Sequence, residues 1–294
     1  MAAFTTIDDA GLFFNTVLYT GTDTSGTGTV TGVGFQPDLV WGKVRSKVGQ
    51  HNLYDAVRGG GKRLIPNGGD ATETNAAYGY LSAFDSDGFT TTAGSTNNEN
   101  WNETSETFAS WNWKMGTTSG ISGGTITPSA YSFNTTAGQS IIAYTGTGSA
   151  ATVPHGLGVA PKVVLVKKLS AVEDWTMLNM NISGEAEKYM VLNTTQAVAD
   201  STTTFNDTDP TSTVFSVGTA GSTNGSASTY VAYCWADIQG FSKFGNYEGT
   251  GNADGPFIYT GFRPAFIMNK RTDSTAAWKM HNNKVPLSRG NVCN

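Results

Sequence analysis

The feature that most constrains this chain is that it repeats itself. The stretch Tyr19-Thr20-Gly21 … Gly34-Phe35-Gln36-Pro37-Asp38-Leu39-Val40-Trp41-Gly42-Lys43 returns as Tyr144-Thr145-Gly146 … Gly158-Val159-Ala160-Pro161-Lys162-Val163-Val164-Leu165-Val166-Lys167. It returns again as Tyr247-Glu248-Gly249 … Gly261-Phe262-Arg263-Pro264-Ala265-Phe266-Ile267-Met268-Asn269-Lys270. The Tyr-to-Pro interval is 18, 17 and 17 positions, and the Pro-to-Lys interval is 6 in every copy. Agreement in both residue type and spacing marks a tandem array of one module. The equivalent prolines of the three copies, Pro37, Pro161 and Pro264, lie 124 and 103 positions apart, far above the roughly 20–50 residues of solenoid repeats, so each copy is domain-sized.

The first two copies share a closing anchor. Phe108-Ala109-Ser110-Trp111-Asn112-Trp113 matches Tyr230-Val231-Ala232-Tyr233-Cys234-Trp235, with Trp113 placed 70 positions after Lys43 and Trp235 placed 68 after Lys167. The third copy has no counterpart of this ending. The expected division is a first module over 1–115, a Gly/Ser/Thr-rich flexible linker over 116–139, a second module over 140–240 and a partial third over 241–294. Trp113 and Trp235 are expected to be largely buried beside the Pro–Lys strand of their own copy. The partial unit is expected to be completed by further polypeptide or by a neighbouring subunit, or else to pack flat on the second copy through Ile238, Phe241 and Phe244.

The residue types within each copy indicate an all-β fold. Charged residues make up 14% of the chain, against roughly 25% in typical globular proteins. Glycine is plentiful, at 36 of 294 residues, and aromatic residues recur in short patterned runs, which disordered chains lack. Leu39-Val40-Trp41, Val163 to Val166 and Phe266-Ile267-Met268 are short apolar runs closed by charge or polarity, as expected of strands inside a sandwich. Phe89 to Thr92, Ser140 to Tyr144, Thr213 to Val217, Thr229 to Trp235 and Phe257-Ile258-Tyr259 also read as strands. In the fourth of these, Tyr230, Ala232 and Cys234 point to one face and Val231, Tyr233 and Trp235 to the other. Asp87-Gly88, Asn67-Gly68-Gly69 and Asn224-Gly225 mark turns. Asp55 to Arg58 and Gln196 to Ala199 are each expected to form about one helical turn. The predicted fold is a series of tandem antiparallel β-sandwiches of jelly-roll, lectin-like type.

Several function classes are disfavoured. Net charge is −5 with no basic stripe, so nucleic acid is not an expected partner. No run approaches the ~18 apolar residues of a membrane span. The two cysteines, Cys234 and Cys293, form no disulfide framework, and Cys234 reads as a buried apolar filler. Gly59-Gly60-Gly61-Lys62 lacks the phosphate-loop pattern.

The opening Phe4-Thr5-Thr6-Ile7-Asp8-Asp9, the Pro-Asp-Leu-Val-Trp strand, the Phe-Asp-Ser-Asp-Gly-Phe turn, the Gly-Ile-Ser-Gly-Gly-Thr-Ile linker and Val231-Ala232-Tyr233-Cys234-Trp235 together resemble a family of tailed-bacteriophage virion proteins. Its members are common in marine phages and usually described as tail-fibre or virion structural proteins. The resemblance covers nearly the whole chain and implies an extracellular virion appendage with lectin-like sandwich modules. It also implies a homo-oligomer, with a trimer favoured. It brings no catalytic motif.

Two groups of residues are candidates for chemistry. Glu99, Glu103 and Glu106 flank Trp101, as the paired carboxylates and sugar-stacking ring of glycoside hydrolases do. The segment otherwise reads as a polar loop, and the second copy has no acid in its place. Asp85 and Asp87 resemble the start of a calcium loop, but Thr96 stands where the closing Glu belongs, and a hairpin turn is the favoured reading of them. His51, His155 and His281 are not spaced as metal ligands, and His155 is expected to support a turn. No cofactor is expected. The leading expectation is a non-enzymatic virion protein that contacts other virion proteins and host-surface glycan. A capsid decoration protein and a polysaccharide depolymerase are the alternatives.

Overall fold

The computed structural model describes residues 5–182 and 187–285 and the backbone of 291–292. The first unit consists of β1 (Phe14–Thr20), β2 (Thr27–Thr31), β3 (Leu39–Val44), β4 (His51–Asp55), β5 (Lys62–Arg63), β6 (Glu73–Thr74), β7 (Tyr80–Asp85), β8 (Gly88–Thr92) and β9 (Thr107–Trp113). They form two antiparallel sheets, β1-β9-β3-β4 and β2-β8-β7, and a short β5-β6 pair. Between the two sheets lies a core of Val30, Val40, Tyr54, Leu81, Phe89 and Trp101.

The second unit repeats the plan with β10 (Ala130–Asn134), β11 (Gln139–Thr145), β12 (Ala151–Pro154), β13 (Val163–Lys168), β14 (Thr176–Asn179), β15 (Lys188–Val191), β16 (Ala199–Asp200), β17 (Val214–Val217) and β18 (Thr229–Trp235). Its large sheet runs β10-β11-β18-β13-β14-β15-β16, and β12 pairs with β17. The inner four, β11-β18-β13-β14, stand in the same order as β1-β9-β3-β4. The register also repeats: Leu39 pairs with Trp113, and Val163 with Trp235. The closing strand of each unit is therefore the central one, and both the opening strand and the Pro–Lys strand pair with it.

Both faces of each large sheet are buried, which is why its strands read as continuous apolar runs rather than alternating ones. In β18, Tyr230, Ala232 and Cys234 face the core shared with β12 and β17. Val231 and Tyr233 face the other way, into a cluster that also holds Leu39, Trp41, Trp111 and Trp113 of the first unit. The two large sheets thus pack back to back, each with a smaller sheet on its outer face.

The third unit supplies β19 (Phe266–Asn269), β20 (Lys279–Asn282) and β21 (Asn291–Val292), in the order β19-β20-β21. Its Trp278 and Met280 complete the same cluster, with Phe244, Phe266 and Met268 packed against it. Phe266 meets Phe14, Trp111 and Trp113 at ring separations of 6.0, 5.9 and 5.8 Å, and Phe241 meets Phe13 at 6.1 Å. The third unit therefore leans on the first as well as the second, and the three surround one core.

Three local expectations are corrected. Residues 116–139 are not a free tether. They contain β10, and Asp38 of the first unit accepts from the Met115 amide and the Ser132 hydroxyl at 2.9 Å each. Gln196 to Ala199 forms no helical turn, and Ala199 belongs to β16. Phe257-Ile258-Tyr259 forms no strand and is exposed at 90, 50 and 78%. Its counterparts β2 and β12 pair with β8 and β17, strands from the later part of their units that have no equivalent among the described residues of the third. What the third unit pairs locally, the β19–β20 hairpin, does form.

Trp113 is buried, whereas Trp235 is half-buried. Trp113→Ala is expected to cost about 3–5 kcal/mol and Trp235→Ala distinctly less, as read from denaturation midpoints. Gly42 faces the ring of Trp101, where an added Cβ would lie 2.4 Å from a ring carbon. Gly42→Ala is expected to destabilise by about 1–3 kcal/mol through this overlap, measured in the same assay.

Candidate functional site

The carboxylate loop joins β8 to β9. Trp101 is fully buried, packed over Gly42 with Tyr54 and Phe89 at ring separations of 5.7 and 5.4 Å. It is a core residue of the first sandwich and offers no face to a sugar, which corrects the stacking role considered from sequence. The loop is rigid because Asn102 is buried and used on both sides. Its amide donates to the Asp23 carbonyl and its oxygen accepts from the Thr22 amide, both at 2.9 Å. Of the half-buried carboxylates, Glu103 pairs with Lys47, Glu106 accepts from the Ser46 hydroxyl, and Glu99 accepts weakly from the Asn97 amide at 3.4 Å. The contacts of Glu103 and Glu106 clip the loop to the turn after β3.

The same device occurs in the second unit, where Asn224 ends the one-turn helix α1 (Gly221–Asn224). Its amide donates to the Ser149 and Gly218 carbonyls at 2.7 and 2.6 Å, and its oxygen accepts from the Thr147 amide at 2.8 Å. Asn102 and Asn224 each lie 11 positions before the closing Trp. That shared spacing is the signal that could have identified both as anchors rather than turn or loop residues.

Asp85 and Asp87 flank the β7–β8 turn. Asp87 accepts from the Gly32 and Gly34 amides at 3.1 and 2.6 Å, and these backbone donors hold its carboxyl below the usual range. Asp85 accepts from the Thr90 hydroxyl at 2.7 Å. Both thus tie turns together. Among the described residues, no group of three or more His, Cys, Asp or Glu could hold a metal ion. His155 is buried and braces the turn after β12: its Nδ1 accepts from the Leu157 amide at 3.2 Å, and its Nε2 lies 3.1 Å from the Thr211 carbonyl. Burial lowers its pKa.

The sequence reading did not anticipate that buried charge would gather where units meet. Asp55 of the first unit is fully buried. It accepts from the Arg58 guanidinium at 2.6 Å and from the Tyr233 hydroxyl of the second unit, also at 2.6 Å. Lys167 is fully buried as well, and its ammonium donates to the carbonyls of Glu173, Lys168 and, across the interface, Gly69 at 2.8, 3.0 and 3.1 Å. Three acceptors match three donors, the pairing that a buried ammonium needs. Burial nonetheless pulls its pKa down to about 8, opposed by the nearby carboxylates of Glu173, Asp70 and Asp174. Beside it, the Trp175 indole donates to the Ile65 and Gly68 carbonyls at 2.9 and 3.1 Å.

This interface is itself repeated. The Trp278 indole donates to the Val191 carbonyl at 2.9 Å, and Lys270 donates to the Thr195 carbonyl at 3.2 Å. The Glu173 and Ala276 amides donate to the Gly69 and Thr195 carbonyls at 2.8 and 2.9 Å. The Thr72 and Val198 amides donate to the Leu169 and Thr272 carbonyls at 3.1 and 3.0 Å. Residues on the later unit's side shift by 103 positions (Lys167 to Lys270, Trp175 to Trp278) and those on the earlier unit's side by 126 (Ile65 to Val191, Gly69 to Thr195). Each unit therefore seats on the preceding one head to tail through the same contacts. Lys43, the first-unit counterpart, is half-buried and donates to the Val44 carbonyl at 2.9 Å.

The structure defines an all-β protein of tandem antiparallel sandwich units. The chain belongs to DUF7483, a family of domains of unknown function, whose model matches residues 9–291. No curated protein and no solved structure matches it.

The buried lysine makes a pH prediction. With a folded pKa near 8 and an ordinary value of about 10.4 when unfolded, the unfolded state holds a proton that the folded state releases between these limits. Stability contributed by this site therefore rises with pH across that window. Lys167→Met is expected to remove the rise. The measurement is the difference in melting temperature between the unsubstituted protein and Lys167→Met from pH 7 to 9.5, in which the opposing contributions of the buried Cys234 thiol and of the tyrosines cancel.

Proposed function

We propose that this protein is a structural component of a tailed-bacteriophage virion, a tail fibre or other surface appendage that contributes to host attachment. The observation that carries this reading is the repeated head-to-tail interface. Buried Asp55, Lys167 and Tyr233 are spent on joining units, as suits a protein whose task is to hold a shape. The sequence resemblance to virion proteins supports the same reading, as does the low charge of a Ser/Thr/Asn-rich surface. On this reading the protein works on the virion after assembly in the host cytoplasm, bound to other virion proteins, with host-surface glycan as a candidate ligand. A homo-oligomer, with three copies favoured, follows from the resemblance. Tandem units would multiply weak glycan contacts through effective concentration.

A capsid decoration protein is the second reading, since a rigid array of units suits a particle surface equally. A depolymerase using Glu99, Glu103 and Glu106 loses support with the burial of Trp101. Immunogold labelling of intact particles against this chain tests the proposal: label on a tail appendage is expected, and label spread over the capsid would favour decoration. Sustained release of new reducing ends from host glycans by the purified protein would overturn the non-enzymatic reading.

A further inference from the structure

The second unit carries a groove that has no counterpart in the first. β10 adds a strand beyond β11, whereas the first unit's large sheet ends at β1. The segment that leads into β10 folds over the edge of β12. Between residues 121–128 of that segment, Tyr131 and Pro154 lies a cavity of about 360 Å³, within the roughly 300–1,000 Å³ of small-molecule sites. Its walls are fixed. The Thr125 and Ile126 amides both donate to the Thr152 carbonyl at 3.0 Å, and the Thr152 amide donates back to the Thr125 hydroxyl at 2.9 Å. Gly124, at a φ of 81°, passes so close to β12 that an added Cβ would lie 2.8 Å from the Pro154 ring. Tyr131 is the aromatic wall, half-buried and stacked beside Phe133 at a ring separation of 6.2 Å.

The polar groups of the lining are distinctive. No charged side chain lines the cavity. Among the described residues nothing pairs with the amides or carbonyls of Ser122, Gly123 and Gly124, nor with the hydroxyls of Ser122 and Thr127, and all four residues are exposed. The Tyr131 hydroxyl accepts from the Ile121 amide at 3.3 Å, so its proton is available to a ligand. Gly123 and Gly124 both have positive φ, and without side chains they leave the backbone open to close approach.

We infer that this groove binds an uncharged carbohydrate, with one sugar ring laid against Tyr131 and its hydroxyls on the backbone of residues 122–124. A sugar ring presents C–H groups to an aromatic face and to proline, and aromatic side chains supply such contact area at a fixed place. Its hydroxyls both donate and accept, as a lining of unpaired amides and unpaired carbonyls requires. A proline-rich peptide would suit the Tyr and Pro walls but brings few donors for those carbonyls. An acidic sugar finds no cation to receive it. For the source of the carbohydrate, a host-surface glycan, the inference rests on the attachment reading above; the chemistry of the groove does not.

The test uses the full chain. It is applied to an array of neutral and acidic oligosaccharides with a polyproline peptide as a further probe, and a retained neutral oligosaccharide is then titrated by calorimetry. Neutral oligosaccharides are expected to bind. Tyr131→Ala, which removes the aromatic wall, and Ser122→Trp, which fills the groove from an exposed position, should each weaken binding about tenfold or more. Ser122→Trp should leave the melting temperature unchanged, and it decides the matter where Tyr131→Ala fails to fold. Retention of acidic oligosaccharides alone, or of none, would overturn the inference. So would neutral binding that Ser122→Trp leaves intact, or capture of the peptide in place of sugar. Neutral binding that survives Ser122→Trp would leave the attachment reading standing with its site elsewhere. Label over the capsid of intact particles would remove that reading and leave sugar binding in the groove untouched.

Discussion

Everything in this structure depends on how a unit seats on the one before it. Trp175 and Lys167 reach out of the second sheet and donate into backbone carbonyls at positions 65 to 69 of the first unit, and Trp278 and Lys270 do the same toward Val191 and Thr195. Leaving such buried donors unpaired would cost about 1–3 kcal/mol each, more where the group is charged. The relative placement of units is therefore specified, whereas apolar contact alone would tolerate sliding. With that placement fixed, the inner faces of the large sheets meet in one core lined by Trp41, Trp111, Trp175, Tyr233 and Trp278, and each unit's remaining apolar surface is divided between this shared core and its own outer sheet.

Such an arrangement adds a shared core to the private ones. The first sandwich has a private core cluster of six buried apolar side chains, and the second a larger one of fifteen. The shared cluster is the largest of the three and draws on all the units. The polar groups at its border, Asp55 with Arg58 and Tyr233 above all, are paired across units. Removing one partner would strand a buried charge, so these groups favour one geometry more than they add stability. A head-to-tail contact can continue as long as units are supplied or can close on itself. Here the third unit's Phe266 reaches back to Phe14, Trp111 and Trp113 of the first, and the array turns around its core instead of extending.

Much of the fold was legible in the sequence because repetition and periodicity speak directly to strands. The spacing of Pro37, Pro161 and Pro264, and of Trp113 and Trp235, located equivalent strands in equivalent places, and the alternation in Tyr230 to Trp235 assigned the two faces of β18 correctly. Lys43, Lys167 and Lys270 stood out as anchors, but the role of the last two did not, because the acceptors that carry Lys167 and Lys270 across to the preceding unit are backbone carbonyls 98 and 75 residues away that any sequence would supply. Trp101 was misread for a related reason. Its neighbours in sequence are polar, and its burial depends on Gly42 leaving space on a distant strand. β10 lay hidden in a Gly- and Ser-rich stretch whose composition suggested a tether, because pairing with β11 and the Asp38 contacts override local flexibility. The third unit's Phe257-Ile258-Tyr259 had the composition of a strand but has no pairing strand among the described residues.

The central claim is that the three units share one core and stand or fall as one body. Differential scanning calorimetry of the full chain, with and without Trp175→Leu, tests it most directly. One shared core predicts a single transition whose calorimetric and van't Hoff enthalpies agree, displaced as a whole to lower temperature by the substitution. Two or more separate transitions, of which the substitution moves only one, would contradict it and show that the units are independent domains that merely touch.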